Sequence, residues 1–140
     1  MKRKASAVWN GTLKEGRGTV SSESGILSGT PYSFSTRFED EQGTNPEELI
    51  GAAHASCFAM ALSMILGEAG MTAEKIDAEA TITLEQGSGG FAVTASHLDV
   101  RATIPGADAA AFQAAAEKAK AGCPISKLLK AEITMDARLA

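Results

Sequence analysis

The run Asn45-Pro-Glu-Glu-Leu-Ile-Gly-Ala-Ala-His-Ala-Ser-Cys57-Phe-Ala-Met-Ala-Leu-Ser-Met-Ile-Leu-Gly-Glu-Ala-Gly70 reads as one long helix, and the rest of the chain has to be arranged around it. Asn45 can cap the first turn, Pro46 suits the first helical position, and Glu47 and Glu48 complement the positive end of the helix dipole. Glu48 stands three residues after Asn45, the spacing of a capping box. The helix should run to about Glu68 and stop at Gly70. It is apolar nearly all round, which predicts a central position in a large core or in a subunit interface. A chain of 140 residues has difficulty enclosing such a helix alone, so a dimer is expected.

Upstream of this helix, Ala5 to Trp9, Gly18 to Ser22 and Tyr32 to Phe38 have strand patterning, separated by glycine-containing turns. Asn10-Gly11 predicts a hairpin with a type I′ turn, because both residues accept the positive φ it requires. Downstream, Ile76 to Leu84 alternates and Phe91 to Ile104 is β-prone, with Gln86 to Gly90 joining them as a hairpin. Ala107 to Ala121 is helical, with Asp108 as its cap. Pro124 restarts a short helix over Ile125 to Leu129, and Glu132 to Leu139 alternates as a closing strand. Three strands, a helix, two strands, two helices and a strand make the class α+β, not a doubly wound sheet. Residues 1–140 are expected to form a single domain.

Hydrophobic residues at 44% and charged residues at 21% are ordinary for a globular domain. A net charge of -4 and no basic patch argue against nucleic acid as a partner. The basic start, Met1 to Lys4, is followed by no apolar leader, and the run from Leu49 to Leu66 is broken by Gly51, His54, Ser56 and Ser63. No membrane association and a cytoplasmic location are expected. There a lasting structural disulfide is unusual.

Cys57 and Cys123 are the only thiols. Each has a plain reading as a buried apolar residue. Brought together, they would form a dithiol able to cycle through a disulfide. Taken alone, Cys123 has the better claim to a lowered pKa, since it can cap the helix that Pro124 opens and Lys118, Lys120 and Lys127 are near in sequence. Cys57, mid-helix in apolar surroundings, needs a cation. Arg37, at the end of the predicted third strand, is the leading candidate, its plain reading being an exposed strand-end arginine. Glu47 lies ten positions before Cys57, about 15 Å along the helix, so it could hold Arg37 or face the cysteine of a second subunit. His54 precedes Cys57 by one turn. A metal site of His54, Cys57, Cys123 and His97 lacks paired short-spacing ligands, and packing is the preferred reading of His54. No bound cofactor or metal is expected, and Gly87 to Gly90 is a hairpin turn, not a phosphate loop.

Thr36-Arg37-Phe38-Glu39, Gly43-Thr-Asn-Pro-Glu-Glu-Leu49, Ala52-Ala-His-Ala-Ser-Cys57-Phe58, Lys120-Ala-Gly-Cys-Pro-Ile125 and Leu129-Lys-Ala-Glu-Ile133 together resemble the osmotically inducible protein C (OsmC) family, nearly end to end. The resemblance implies antiparallel sheets around a long central buried helix and an intertwined homodimer with its sites at the interface. It further implies a peroxidase that reduces organic hydroperoxides to alcohols. Cys57 would be the attacking thiolate and Cys123 the thiol that closes a disulfide on its sulfenic acid. Arg37 would stabilise the Cys57 thiolate, with Glu47 orienting Arg37, and an external dithiol, a dihydrolipoyl group on another protein, would restore both thiols. This reverses the ranking of the two cysteines reached from the residues alone. Arg17, in a Gly-Arg-Gly turn, is the fallback cation. Phe38, Phe58, Met60 and Met64 would suit an organic peroxide, their plain role being core packing. A redox-responsive or small-ligand-binding dimer without turnover is the alternative, and inert thiols a third reading.

Overall fold

The computed structural model describes residues 1–140. The chain divides into two compact units, Met1–Leu49 and Ile50–Ala140.

The first unit holds an antiparallel three-stranded sheet in the order β1 (Ala5–Asn10), β2 (Arg17–Ser22), β3 (Thr30–Tyr32). Gly18 sits in the middle row, opposite Trp9 on one side and Tyr32 on the other. A Cβ there would come within 2.6 Å of both rings, so only glycine lets Trp9 and Tyr32 lie across the strand, their centroids 5.5 Å apart. The β1–β2 connection runs from Gly11 to Gly16, closed by the Gly16 amide on the Thr12 carbonyl at 2.8 Å. It is therefore longer than the type I′ turn expected at Asn10-Gly11: Gly11 has the positive φ, +95°, but Asn10 belongs to the strand.

The segment Tyr32 to Phe38 is not one strand. Only Tyr32 belongs to β3, and Phe34–Phe38 form a short helix, α1. The cause is a capping box. The Ser33 hydroxyl accepts from the Thr36 amide at 3.3 Å, and the Thr36 hydroxyl accepts from the Ser33 amide at 2.9 Å. These two bonds satisfy backbone donors at the helix start and outweigh the β pattern of the side chains. Arg37 consequently lies in a helical last turn instead of at a strand end.

Helix α2 spans Pro46–Glu68, as its sequence predicts. Asn45 Oδ1 accepts from the Glu48 amide at 2.9 Å. At the other end Gly70 takes φ +76°, the Met71 amide bonds the Leu66 carbonyl at 2.8 Å, and the Gly70 amide bonds that of Gly67 at 3.1 Å. This is the double closure of a left-handed C-cap, which needs glycine at that position.

In the second unit α2 buries one stripe, Gly51, His54, Phe58, Leu62, Ile65 and Leu66. The stripe belongs to a core shared with a mixed sheet of β4 (Lys75–Gly87), β5 (Gly90–Thr103) and β6 (Glu132–Leu139), and with α3 (Ala109–Gly122). Gly51 allows the close approach, since a Cβ there would meet the Ala80 carbonyl at 3.1 Å. Residues in register alternate between the faces of the sheet: Ala80, Leu98 and Met135 form one row toward the core, and Thr81, His97 and Thr134 the next row outward. The Asp108 carboxylate caps α3 on the Ala111 amide at 2.9 Å, and α4 (Pro124–Leu128) follows.

Two expectations change here. β4 and β5 are antiparallel, but β6 runs parallel to β5, so the second sheet is not wholly antiparallel. The two helices between β5 and β6 carry the chain back across the sheet, as a parallel return requires. And α2 is buried on one stripe only, because the sheet covers one side of it. On the opposite face Met60 is 77% and Met64 61% exposed. By length and composition alone α2 would also be long and apolar enough to cross a membrane.

Candidate functional site: a cysteine pair and an arginine–glutamate pair

The sulfurs of Cys57 and Cys123 are hydrogen-bonded at 2.9 Å, both as free thiols. Cys57 comes from the middle of α2, and Cys123 from the junction where α3 ends and Pro124 opens α4. Cys123 is fully buried, whereas Cys57 keeps partial access to solvent. The sequence leaves their proximity open. The fold supplies it by packing α2 and α3 into one core.

Their environments differ. Burial pushes the Cys57 thiol up, and the bond to Cys123 pushes it further, against a lowering contribution from the Ile125 amide. Burial also acts upward on Cys123, but the bond with Cys57, the amide and hydroxyl of Ser126 and the Ile125 amide together bring it below its ordinary value. Cys123 makes no regular side-chain capping bond. Its sulfur is nevertheless near enough to these donors for them to favour an anion. Within this unit these contacts favour an anion on Cys123 over one on Cys57, the ranking read from the residues alone. A cation is required to move it to Cys57.

Arg37 and Glu47 meet in the first unit. Arg37 Nε donates to Glu47 Oε2 at 3.1 Å and Nη2 to Oε1 at 2.7 Å, a two-point pair. Asn45 sets this up. Its side-chain oxygen caps α2, while its side-chain amide donates to the Thr36 carbonyl at 3.0 Å, fastening the end of α1 to the start of α2. The hydrogen bond to Glu47 raises the Arg37 pKa still further, so the guanidinium stays charged. Its side chain is 35% exposed, against 12% for Glu47. Beside it lies an aromatic recess of about 260 Å³ lined by Trp9, Leu13, Tyr32, Ser33, Phe34, Arg37 and Phe38. Arg17 opens β2 and donates to the Gly16 carbonyl at 2.9 Å.

The histidines are placed apart from these roles. His54 is fully buried, with Nδ1 2.6 Å from Ser96 Oγ and Nε2 2.8 Å from Ser126 Oγ, so both its nitrogens turn to serines and not to Cys57. His97 lies on the outer face of the sheet, with Nδ1 2.7 Å from the Thr134 hydroxyl and Nε2 3.3 Å from Asp136. His54, Cys57, Cys123 and His97 are not gathered, and no group of three or more His, Cys, Asp or Glu side chains is placed to hold a metal. Phe58 belongs to the core, its packing role. Ser96 and Ser126 were missed in the sequence.

The OsmC-like protein family model matches residues 39–138. The chain belongs to the OsmC family. It is 56% identical over 137 residues to peroxiredoxin OsmC of Escherichia coli, covering 98% of this chain and 96% of the relative. It is 29% identical over 99 residues to an organic hydroperoxide resistance protein of Xanthomonas axonopodis, covering 70% and 68% of the two chains. Among solved structures, an OsmC-like protein from Vibrio cholerae superposes with a TM-score of 0.78 at 19% identity, covering 99% of each chain. That likeness carries the fold, and with it the OsmC-like α+β architecture.

Proposed function

We propose that this OsmC-family protein is a thiol-dependent peroxidase that reduces organic hydroperoxides to alcohols, with Cys57 attacking and Cys123 resolving. One observation carries the reading: two free thiols 2.9 Å apart, one reachable from solvent and the other buried behind it. The names of the relatives, peroxiredoxin and organic hydroperoxide resistance protein, support a peroxidase of this kind.

The Cys57 thiolate attacks the outer peroxide oxygen. The O–O bond breaks, the alkoxide leaves and takes a proton to become the alcohol, and Cys57 is oxidised to the sulfenic acid. The Cys123 thiolate attacks that sulfur and expels hydroxide, which becomes water, leaving a Cys57–Cys123 disulfide. An external dithiol, in our reading a dihydrolipoyl group on a second protein, reduces the disulfide by exchange and is itself oxidised. Sulfur supplies both electrons, so the chemistry needs no bound cofactor.

Arg37 supplies the cation that moves the pair's charge to Cys57 and orients the peroxide, with Glu47 of the same chain holding Arg37, and the Arg37–Glu47 pair serves a Cys57 of its own or of the partner subunit. The two-point geometry supports Glu47 in this part, and the recess of Trp9, Tyr32, Phe34 and Phe38 beside Arg37 supports an organic over a small inorganic peroxide. The exposed apolar face of α2, with Met60 and Met64, supports a homodimer in which a second copy, not lipid, covers that face. We place the two units in one functional domain and the protein in the cytoplasm, where a dithiol stays reduced between turnovers.

The test is multiple-turnover consumption of a bulky organic hydroperoxide with dihydrolipoamide, beside hydrogen peroxide. Turnover should favour the organic peroxide and vanish in Cys57→Ser, while Cys123→Ser should allow one oxidation per site. Equal activity of Cys57→Ser and the parent protein would end the proposal. Oxidation that halts after one equivalent with every reductant would mark a redox switch instead.

A further inference from the structure

The peroxidase reaction leaves one proton without a source. When the O–O bond breaks, the departing alkoxide needs a proton, and the groups placed so far are committed elsewhere. The Cys123 thiol donates to the Cys57 sulfur at 2.9 Å, the attacking atom and not the leaving one. Both nitrogens of His54 are turned to Ser96 and Ser126. Arg37 is held charged by Glu47, and a guanidinium does not give up its proton.

The aromatic recess beside Arg37 narrows the choice. Three of its side chains already spend their polar groups on the chain. Trp9 Nε1 donates to the Gly11 carbonyl at 3.2 Å, the Ser33 hydroxyl donates to Glu41 Oε2 at 3.1 Å, and Arg37 gives Nε and Nη2 to Glu47. The Lys14 ammonium, 6.0 Å from the Phe34 ring centroid, belongs to an exposed residue that does not line the recess. The Tyr32 hydroxyl remains, half-buried in the wall and without a hydrogen bond to the chain.

Its position is fixed from below. The Tyr32 ring lies against Trp9 with centroids 5.5 Å apart, and over Gly18. A Cβ on Gly18 would come within 2.8 Å of Tyr32 Cζ, the atom that carries the hydroxyl. Glycine on β2 therefore lets the phenolic end settle beside Trp9, in the same recess as the Arg37 guanidinium.

We propose that Tyr32 is the general acid of the reaction and protonates the oxygen that leaves. A phenol is a stronger acid than an alcohol, so the transfer to an alkoxide runs downhill. The electron pair of the Cys57 thiolate forms the S–O bond to the outer oxygen, the O–O bond breaks onto the inner oxygen, and that oxygen takes the Tyr32 proton. The products are the alcohol, the Cys57 sulfenic acid and a tyrosinate, which Arg37 stabilises until it takes a proton from solvent. Sulfur alone is oxidised. This inference rests on the peroxidase reading.

The test compares two leaving groups. Cumene hydroperoxide releases an alkoxide, whereas peroxybenzoic acid releases a carboxylate, which departs without a proton. First-turnover consumption of each is followed in the reduced full-length protein, with the Cys57→Ser rate subtracted. Tyr32→Phe keeps the ring over Gly18 and removes only the hydroxyl. It should slow the cumene hydroperoxide reaction about 100-fold and the peroxybenzoic acid reaction no more than about threefold, the first being the scale of general acid catalysis. Equal slowing with both peroxides, as from a merely structural role, would overturn the proposal, and so would no slowing with either. A parent protein that consumes neither peroxide through Cys57 would remove the peroxidase reading, and this proposal with it.

Discussion

Arg37 and Glu47 are joined at two points, 3.1 and 2.7 Å, because Asn45 binds the end of one helix to the beginning of the next. The pair is thus a product of helix capping as much as of charge. Its rigidity is what a thiolate or a peroxide oxygen would experience as a fixed set of donors.

Substitutions in this pair should act on chemistry more than on folding. Arg37→Ala is expected to lower kcat/KM for an organic hydroperoxide about 10–100-fold, the range of one to two charge-assisted hydrogen bonds. Arg37→Lys should recover little, since an ammonium cannot reproduce the fork. Steady-state kinetics beside thermal unfolding separates the two effects. Activity unchanged in Arg37→Ala would remove Arg37 from the mechanism and turn attention to Arg17.

Asn45→Ala should lose about 1–2 kcal/mol of stability, as for other caps, because the Glu48 amide is left without its acceptor. It should also lower activity beyond that loss, since the same side chain holds the Thr36 carbonyl beside the Arg37 turn. Urea unfolding paired with kinetics checks both parts.

Gly51→Val should destabilise by about 1–3 kcal/mol through overpacking. Even its Cβ would sit 3.1 Å from the Ala80 carbonyl, a backbone atom that cannot swing aside. The check is the urea midpoint of the reduced protein.

His54 links stability to pH. Burial holds its folded pKa below the ordinary 6.5 of the unfolded chain. Between the two values the unfolded state carries the extra proton, so the contribution is complete above 6.5 and is lost as pH falls toward the folded value. Its share of the slope is at most about 1.4 kcal/mol per pH unit. Urea unfolding of His54→Gln should show a shallower loss on the acid side than the parent. An identical slope would mean His54 ionises equally in both states.

Met60→Asp places a charge on the open face of α2 and should convert a dimer to monomer, read by sedimentation. A parent protein that already sediments as a monomer would reject the homodimer.

The readable parts of the sequence were those where one residue decides a backbone state. Asn45, Pro46 and Gly70 mark both ends of α2 because each satisfies or blocks specific backbone groups. The strand misread at Tyr32 to Phe38 had the opposite cause: two hydroxyls, Ser33 and Thr36, made a helix start where the larger side chains alternated. The parallel course of β6 was illegible because alternation is the same in either direction. The cysteines, Arg37 and Glu47 were candidates from the residues themselves, but spacing alone left inert thiols and an exposed arginine open, and the roles proposed for them came from the family's motifs. Ser96 and Ser126 had no pattern, for a serine among apolar residues declares its role only when a partner from another element is seen.

Cys57 and Cys123 are separated by 66 positions yet share one hydrogen bond. On a ribosome the first thiol emerges well before the second exists, and the helix that ends at Cys123 is among the last elements made. In the proposed reading, a chain oxidised at Cys57 during that interval has no sulfur of its own to close upon, and only a thiol from outside could cap the sulfenic acid. Self-protection of the first cysteine would begin only when the last quarter of the polypeptide has been made.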